Sequence, residues 1–165
     1  GWHASEYQQY GYAFPPMGVR LQQLDEACTM LRMLWTEERS TFAGRHFQLT
    51  GAACNPKPVQ PRLPILIGGS GEKVTLRLVA EYADAWNTFG PPSNFAQKNE
   101  VLDGHCRDLG RDPAEIERTV CINPTDEDLG RLEEYLEAGA QHLIVMVGQP
   151  FDLSSVERVL AFAEG

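Results

Sequence analysis

Gly68-Gly69-Ser70-Gly71 is the densest group of positions in this sequence that could do chemistry. A short apolar run at 65–67 precedes it, and an amphipathic helical pattern follows. Glycines at such a junction let backbone N–H groups point into a concavity, and the positive end of the next helix adds to the attraction. Together they favour an anion such as phosphate. The pattern is neither G-x-G-x-x-G nor a Walker motif, because no Lys-Ser/Thr follows in register. A tight strand-to-helix turn that needs glycine only for its backbone angles would read the same way, and spacing alone leaves both readings open.

Similar residues recur where other apolar runs end. Asn87, Thr88 and Gly90 follow Trp86, Asn123 follows Ile122, and Gly148 follows Val147. Small residues with Asn, Ser or Thr nearby suit a ligand that needs close backbone approach and hydrogen bonds. Trp2 and Trp86 lie near such ends and could wall a planar ligand, although core packing explains them equally well. Trp35 belongs to a helix stripe and reads as core.

Catalytic groups are harder to assemble. His3, His46, His105 and His142 share no ligand spacing, and a structural or solvent role is the reading for each. The acidic run Thr125-Asp126-Glu127-Asp128 fits a helix start stabilised by its dipole better than a metal site. No Ser/His/Asp, Cys/His or paired-carboxylate arrangement emerges, so no catalytic residue and no metal ligand is assigned. Cys28, Cys54, Cys106 and Cys121 form no C-x-x-C pair and no zinc spacing, and are expected to be buried, reduced thiols of a cytoplasmic protein.

The elements that must position these residues are legible from periodicity. Leu21, Leu24, Cys28, Leu31 and Trp35 form a helical stripe over 17–35. Residues 41–51 read as a small hairpin, and the prolines of NPKPVQPRLP as an extended connector. Then a rhythm begins. Strands are expected at 65–67, 85–89, 119–122 and 143–147. Helices are expected at 72–82 (inward face Thr75, Leu78, Val79, Tyr82), 94–109 (Leu102, Cys106, Leu109), 127–138 (Leu129, Leu132, Leu136) and 155–163. A short turn of helix opens at Asp112-Pro113, and Ser154 with Glu157 reads as a capping box for the last helix.

Four β-α units with continuous apolar strands mean a parallel sheet covered by helices. A doubly wound open sheet is one solution. A closed (β/α)8 barrel needs eight units and typically ~250 residues, so four units are half a barrel. The helix at 17–35 then reads as the outer helix of a preceding unit, which agrees with a sequence starting at Gly1-Trp2-His3 without methionine. The expected fold is therefore α/β, the C-terminal half of a TIM barrel. It is read as a single domain over 1–165, with a barrel helix, excursion and connector in 1–63 and four β-α units in 64–165.

Composition narrows the function classes. With 165 residues, 42% hydrophobic and 22% charged, the chain is an ordinary globular domain. A net charge of −9 argues against nucleic acid, where Lys and Arg must neutralise phosphates, and against an anionic membrane surface. No apolar segment approaches the roughly 18 residues of a membrane span.

The ordered set GWHASEYQQYG, PPMGVRLQQLDEACTMLRMLW, GRHFQL, PKPVQ, PILIGGSGEKVTLRLVAEYADAWN and YLEAGAQHLIV resembles the C-terminal half of the luciferase-like monooxygenase superfamily, and within it the deazaflavin-dependent oxidoreductase branch. The resemblance covers nearly the whole chain. It implies a (β/α)8 barrel that uses coenzyme F420 or FMN to transfer hydride or activate oxygen on a small-molecule substrate, and it implies a homodimer. It places Gly68, Gly69 and Ser70, with Gly71 beside them, along the cofactor at the fifth strand's end. Asn87, Thr88 and Gly90 would approach the ribityl-phosphate tail after the sixth strand. Gly1 and Trp2 resemble a glycine-tryptophan pair after the fourth, with Glu6 nearby. The family's proton-handling residues usually come from its first strands and have no counterpart here. The segment 123–126 is short where many relatives carry an insertion.

A four-stranded half-barrel leaves two sheet edges and one apolar face open, so the N-terminal half of the barrel is its expected partner. The expected function is a flavin- or F420-dependent oxidoreductase, with this chain holding the cofactor's tail. The rival readings are a non-catalytic cofactor-binding or partner subunit of the same barrel family, and a small doubly wound anion-binding domain.

Overall fold

A computed structural model describes residues 1–164, apart from the Asp126 side chain. The chain divides into two compact units, 1–63 and 64–165.

The first unit carries helices α1 (Ala4–Gln9) and α2 (Met17–Thr36) and an antiparallel hairpin of β1 (Ser40–Ala43) and β2 (Gln48–Ala52). Of the stripe expected along α2, only Cys28 is fully buried and Leu31 is exposed. The unit offers this helix only a two-stranded hairpin and an irregular connector, too little surface to bury a long apolar face. Glu26 ties hairpin to helix: its carboxylate accepts the backbone N–H groups of Arg45 (2.7 Å), His46 (2.9 Å) and Phe47 (2.9 Å).

The second unit is a four-stranded parallel sheet in the order β3 (Leu66–Gly68), β4 (Ala85–Phe89), β5 (Glu117–Ile122), β6 (His142–Val145). Sequential order with no reversal is the topology of successive barrel units, whereas a doubly wound sheet reverses at a switch point. Burial agrees. Ile67, Trp86, Thr88, Arg118, Val120 and Ile122 share one covered face, and Trp86 stacks on Phe95 with centroids 5.4 Å apart. On the opposite face Leu66 and Phe89 are exposed, Asn87, Cys121 and Ile144 are half-buried, and Ala85 and Thr119 are buried. One face is covered and the other is more open, as in a section of barrel wall.

The helices are α3 (Thr75–Tyr82), α4 (Pro92–Leu109), α5 (Asp126–Leu129), α6 (Leu132–Glu137) and α7 (Ser154–Glu164), with a 3₁₀ turn at Pro113–Glu115. Several sequence expectations shift. Residues 72–74 form turns rather than helix, so α3 buries Leu76, Leu78, Val79 and Ala80, and Thr75 lies only half-buried beside the glycine loop. The helix expected at 127–138 breaks at Gly130, a poor helix former. Its inward residues become Leu129, Leu132 and Tyr135, and Leu136 is exposed. Leu109 is exposed at the end of α4, where Gly110 stops the helix in the left-handed region (φ 69°). Asp152, not Ser154, caps α7, accepting the Ser154 N–H at 3.0 Å. All four cysteines are free, but only Cys28 and Cys106 are buried. Cys54 lies in the irregular connector and Cys121 on the sheet's open face, so neither is enclosed. Among the described residues no helix is long and apolar enough to cross a membrane.

Candidate functional site

Ligands of parallel α/β sheets sit at the carboxyl ends of the strands, and here those ends are built residue by residue. Gly68 closes β3, and Gly69, Ser70 and Gly71 follow it, all exposed. Gly69 has φ 129°, a conformation open to glycine and strained for other residues. It is pinned on both sides. Its N–H donates to the Asn87 carbonyl at 2.9 Å, and its carbonyl accepts the Trp86 indole Nε1–H at 2.7 Å. Trp86 is therefore a buried core residue that fixes the loop from beneath, and it does not wall a ligand.

The loop's far end is also fastened. Leu76 N–H donates to the Gly71 carbonyl at 3.0 Å. Lys98 Nζ meets Glu72 Oε1 at 2.5 Å, and His105 Nε2 bonds the Glu72 carbonyl at 2.7 Å. Lys98 holds the Glu72 carboxyl below the usual glutamate range. Thr75 stands against the glycines: a Cβ on Gly69 would lie 3.1 Å from its Cγ2, and one on Gly71 2.8 Å from its Oγ1. Between these fixings the exposed N–H groups of Ser70 and Gly71 have no acceptor among the described residues, so they are open to solvent or to a ligand.

The neighbouring strand ends separate by face. Asn87 projects on the open face, where its Nδ2 donates to Thr119 Oγ1 at 2.8 Å and its Oδ1 lies 3.4 Å from Cys121 Sγ. Thr119 in turn donates to the Trp86 carbonyl at 3.0 Å. Thr88 is buried on the covered face, so it can offer a ligand only its backbone. Gly90 is half-buried, and a Cβ there would overlap the Tyr135 hydroxyl. In the first unit Trp2 is exposed and its ring meets that of His3 edge-on at 5.2 Å; the Gly1 carbonyl accepts from Arg20 Nε at 3.0 Å.

Other candidates are taken up structurally. His46 bonds Gln22 (2.9 Å), and His142 faces Glu117 (3.3 Å). Of the acidic run, Asp128 serves Asn123 and Tyr135, and the Asp126 side chain lies outside the described residues. Among the described residues no three His, Cys, Asp or Glu side chains gather as a metal site. Sequence reasoning missed Thr75, Thr119 and Tyr135. Their contacts come from strand register and helix crossings, which periodicity does not carry.

The class these features define is a parallel β-α barrel wall with a glycine-lined ligand edge at its strand ends. A model of the family described as luciferase-like monooxygenase matches residues 1–143, and the chain belongs to that family. It is similar to the pyrimidine monooxygenase RutA of Stutzerimonas stutzeri, 34% identical over 158 residues that cover 90% of this chain and 43% of RutA. The chain thus spans less than half the length of the relatives of this kind that it matches. Among solved structures it is similar to an F420-dependent secondary alcohol dehydrogenase in complex with an F420-acetone adduct (TM-score 0.71, 21% identity, 81% of this chain and 58% of that one). It is likewise similar to the monooxygenase RslO1 from Streptomyces bottropensis (TM-score 0.68, 15% identity, 99% and 65%). At these identities the structural likeness establishes the fold, a TIM-barrel α/β architecture.

Proposed function

We propose that the protein is a flavin- or deazaflavin-dependent oxidoreductase acting on a small organic substrate, by hydride transfer or monooxygenation. Coenzyme F420 is favoured over FMN, and this chain supplies the cofactor-tail side of the site. The observation that carries this reading is the glycine loop: Gly69 at φ 129° held by Trp86 and Asn87, with the Ser70 and Gly71 N–H groups unengaged. Such a loop fits a phosphate-bearing tail, because it approaches closely, offers two donors and has no side chain at three of four positions.

In this reading Gly68, Gly69, Ser70 and Gly71 receive one part of the tail. Asn87 offers a side-chain amide oriented by Thr119, and Thr88 and Gly90 offer backbone. Trp2, exposed in its own unit, is available to a planar ring. When bound, the cofactor supplies the redox chemistry, and the protein supplies orientation and a dry pocket. RutA is a pyrimidine monooxygenase by name, and a structural neighbour binds an F420-acetone adduct; both support a redox cofactor and a small substrate here. The open face of the sheet supports completion of the pocket by the N-terminal half of the barrel. We also propose a homodimer, on the family resemblance alone, and a cytoplasmic location, which four free cysteines support.

The test is titration of the full-length protein with F420 and, separately, with FMN, followed by absorbance and fluorescence. Saturable binding of one of them is expected. Binding of neither overturns the proposal.

A further inference from the structure

We propose that Asp128 and Tyr135 are positioning residues that set the rim of this site, one carboxylate holding the ends of two adjacent strands. The inference rests on the cofactor reading above, and it concerns residues that no strand-end pattern singles out.

The geometry starts at Asn123, the first residue past β5. Its N–H donates to Asp128 Oδ2 at 3.0 Å, and its Nδ2 reaches the same oxygen at 3.3 Å. The other oxygen, Oδ1, accepts the Tyr135 hydroxyl at 3.1 Å. Asp128 is itself held by its N–H, which donates to Thr125 Oγ1 at 3.3 Å. Tyr135 is fully buried on α6, and its hydroxyl occupies the space a side chain would need at Gly90, the residue that follows β4. The strands are register neighbours, Phe89 beside Cys121. A hydrogen-bonded chain therefore runs from Asn123 through Asp128 to Tyr135, and the phenol at its end packs against the backbone of Gly90.

The consequence is chemical. A cofactor tail lying across residues 87–90 meets a backbone whose position is fixed from behind by a phenol. Burial and the Asp128 carboxylate push the Tyr135 pKa up to about 12, so the hydroxyl is protonated and a donor at neutral pH. Asp128 accepts from both partners at once, one on each oxygen; an amide has one carbonyl oxygen and would present an NH2 at the other position, so the phenol would have to turn and accept instead of donate. Glycine at position 90 is explained by the phenol, so its contribution to a ligand is its placement and not its freedom.

The experiment compares cofactor affinity and thermal melting of the full-length protein with those of Tyr135→Phe, Asp128→Asn and Asp128→Ala. Leu132→Ala serves as a control: it opens a cavity on the same helix without touching the rim. Affinity for whichever of F420 or FMN the wild type binds is expected to fall about tenfold in Tyr135→Phe and Asp128→Ala, with Asp128→Asn between these and wild type. All variants should remain folded at the assay temperature, and Leu132→Ala should bind as wild type does. Unchanged affinity in the three rim variants overturns the positioning role, and so does an equal loss in Leu132→Ala, which would make the effect one of general stability. Wild type that binds neither cofactor overturns the reading of the site on which the inference stands.

Discussion

The indole Nε1–H of Trp86 donates to the carbonyl oxygen of Gly69 at 2.7 Å, joining the second strand of the parallel sheet to the exposed loop after the first. Trp86 is fully buried and stacked on Phe95, so its donor is aimed by core packing. Trp86→Phe keeps an aromatic stack but removes the donor. The Gly69 carbonyl then loses its only side-chain partner among the described residues, at a cost of about 1–3 kcal/mol including the smaller ring. A lowered urea midpoint together with weaker cofactor binding is the expected outcome; a lowered midpoint alone would assign Trp86 to stability only.

Gly69 and Gly71 are both glycine, for different reasons, and substitution separates them. Gly69→Ala forces an alanine to φ 129°, which costs on the order of 1–3 kcal/mol wherever its neighbours sit. Gly71→Ala suffers chiefly from Thr75 Oγ1, 2.8 Å from the added Cβ. Adding Thr75→Ala should therefore rescue most of the loss at Gly71 and little of that at Gly69. Denaturant unfolding of the three single variants (Gly69→Ala, Gly71→Ala, Thr75→Ala) and the two double variants measures this coupling.

The parallel sheet, its strand count and the residues at its carboxyl ends were legible in the sequence, because continuous apolar strands alternating with amphipathic helices have few solutions. Helix starts were less legible. Glu72-Lys73-Val74 has ordinary helical residues, yet the turn that carries the loop toward Thr75 consumes them. Gly130 broke a helix that the leucine spacing made continuous, and thereby moved the inward position from Leu136 to Tyr135. Thr88 and Asn87 are adjacent in sequence and sit on opposite faces, so a strand-end list names both while the pleat offers only one side chain to the open face. The contribution of Trp86 was ambiguous for a similar reason: its type fits a wall or a core, and only strand register decides.

In the first unit, Glu26 sets a pH dependence. Burial alone would raise its pKa, but the N–H groups of His46, Phe47 and Arg45 outweigh it, and the net shift is downward from 4.5. A depressed folded-state pKa gives stability that is fully present above the ordinary glutamate value and is lost as pH falls through the folded value. Glu26→Gln should accordingly melt below wild type at neutral pH, with the gap closing in acid. Gly44→Ala should mimic it, since the added Cβ would overlap the Glu26 carboxylate and the Phe42 ring. Melting curves across pH check both; a gap that is constant with pH would refute the assignment.

Arg118 presents the sharpest asymmetry between two partners. Its guanidinium is buried, with Nη2 donating to Asp103 Oδ1 at 2.7 Å and lying 3.3 Å from the Pro113 carbonyl, and with Nη1 unpartnered among the described residues. Burial lowers its pKa and Asp103 opposes that shift. Asp103 itself is 38% exposed, so water can solvate it if the arginine is removed. The cost of breaking the pair thus depends on which half is taken away. Asp103→Ala strands a buried cation and should cost about 1–3 kcal/mol, discounted from the fully buried case because solvent reaches the carboxylate side. Arg118→Met replaces the charge with a flexible apolar chain of similar length and should cost under about 1 kcal/mol. The double variant should match Arg118→Met, because the aspartate then has no charge left to neutralise. Urea unfolding of the three variants decides: if Arg118→Met is the more damaging single change, the pair stabilises the fold through the arginine's own hydrogen bonds and not through compensation of a buried charge.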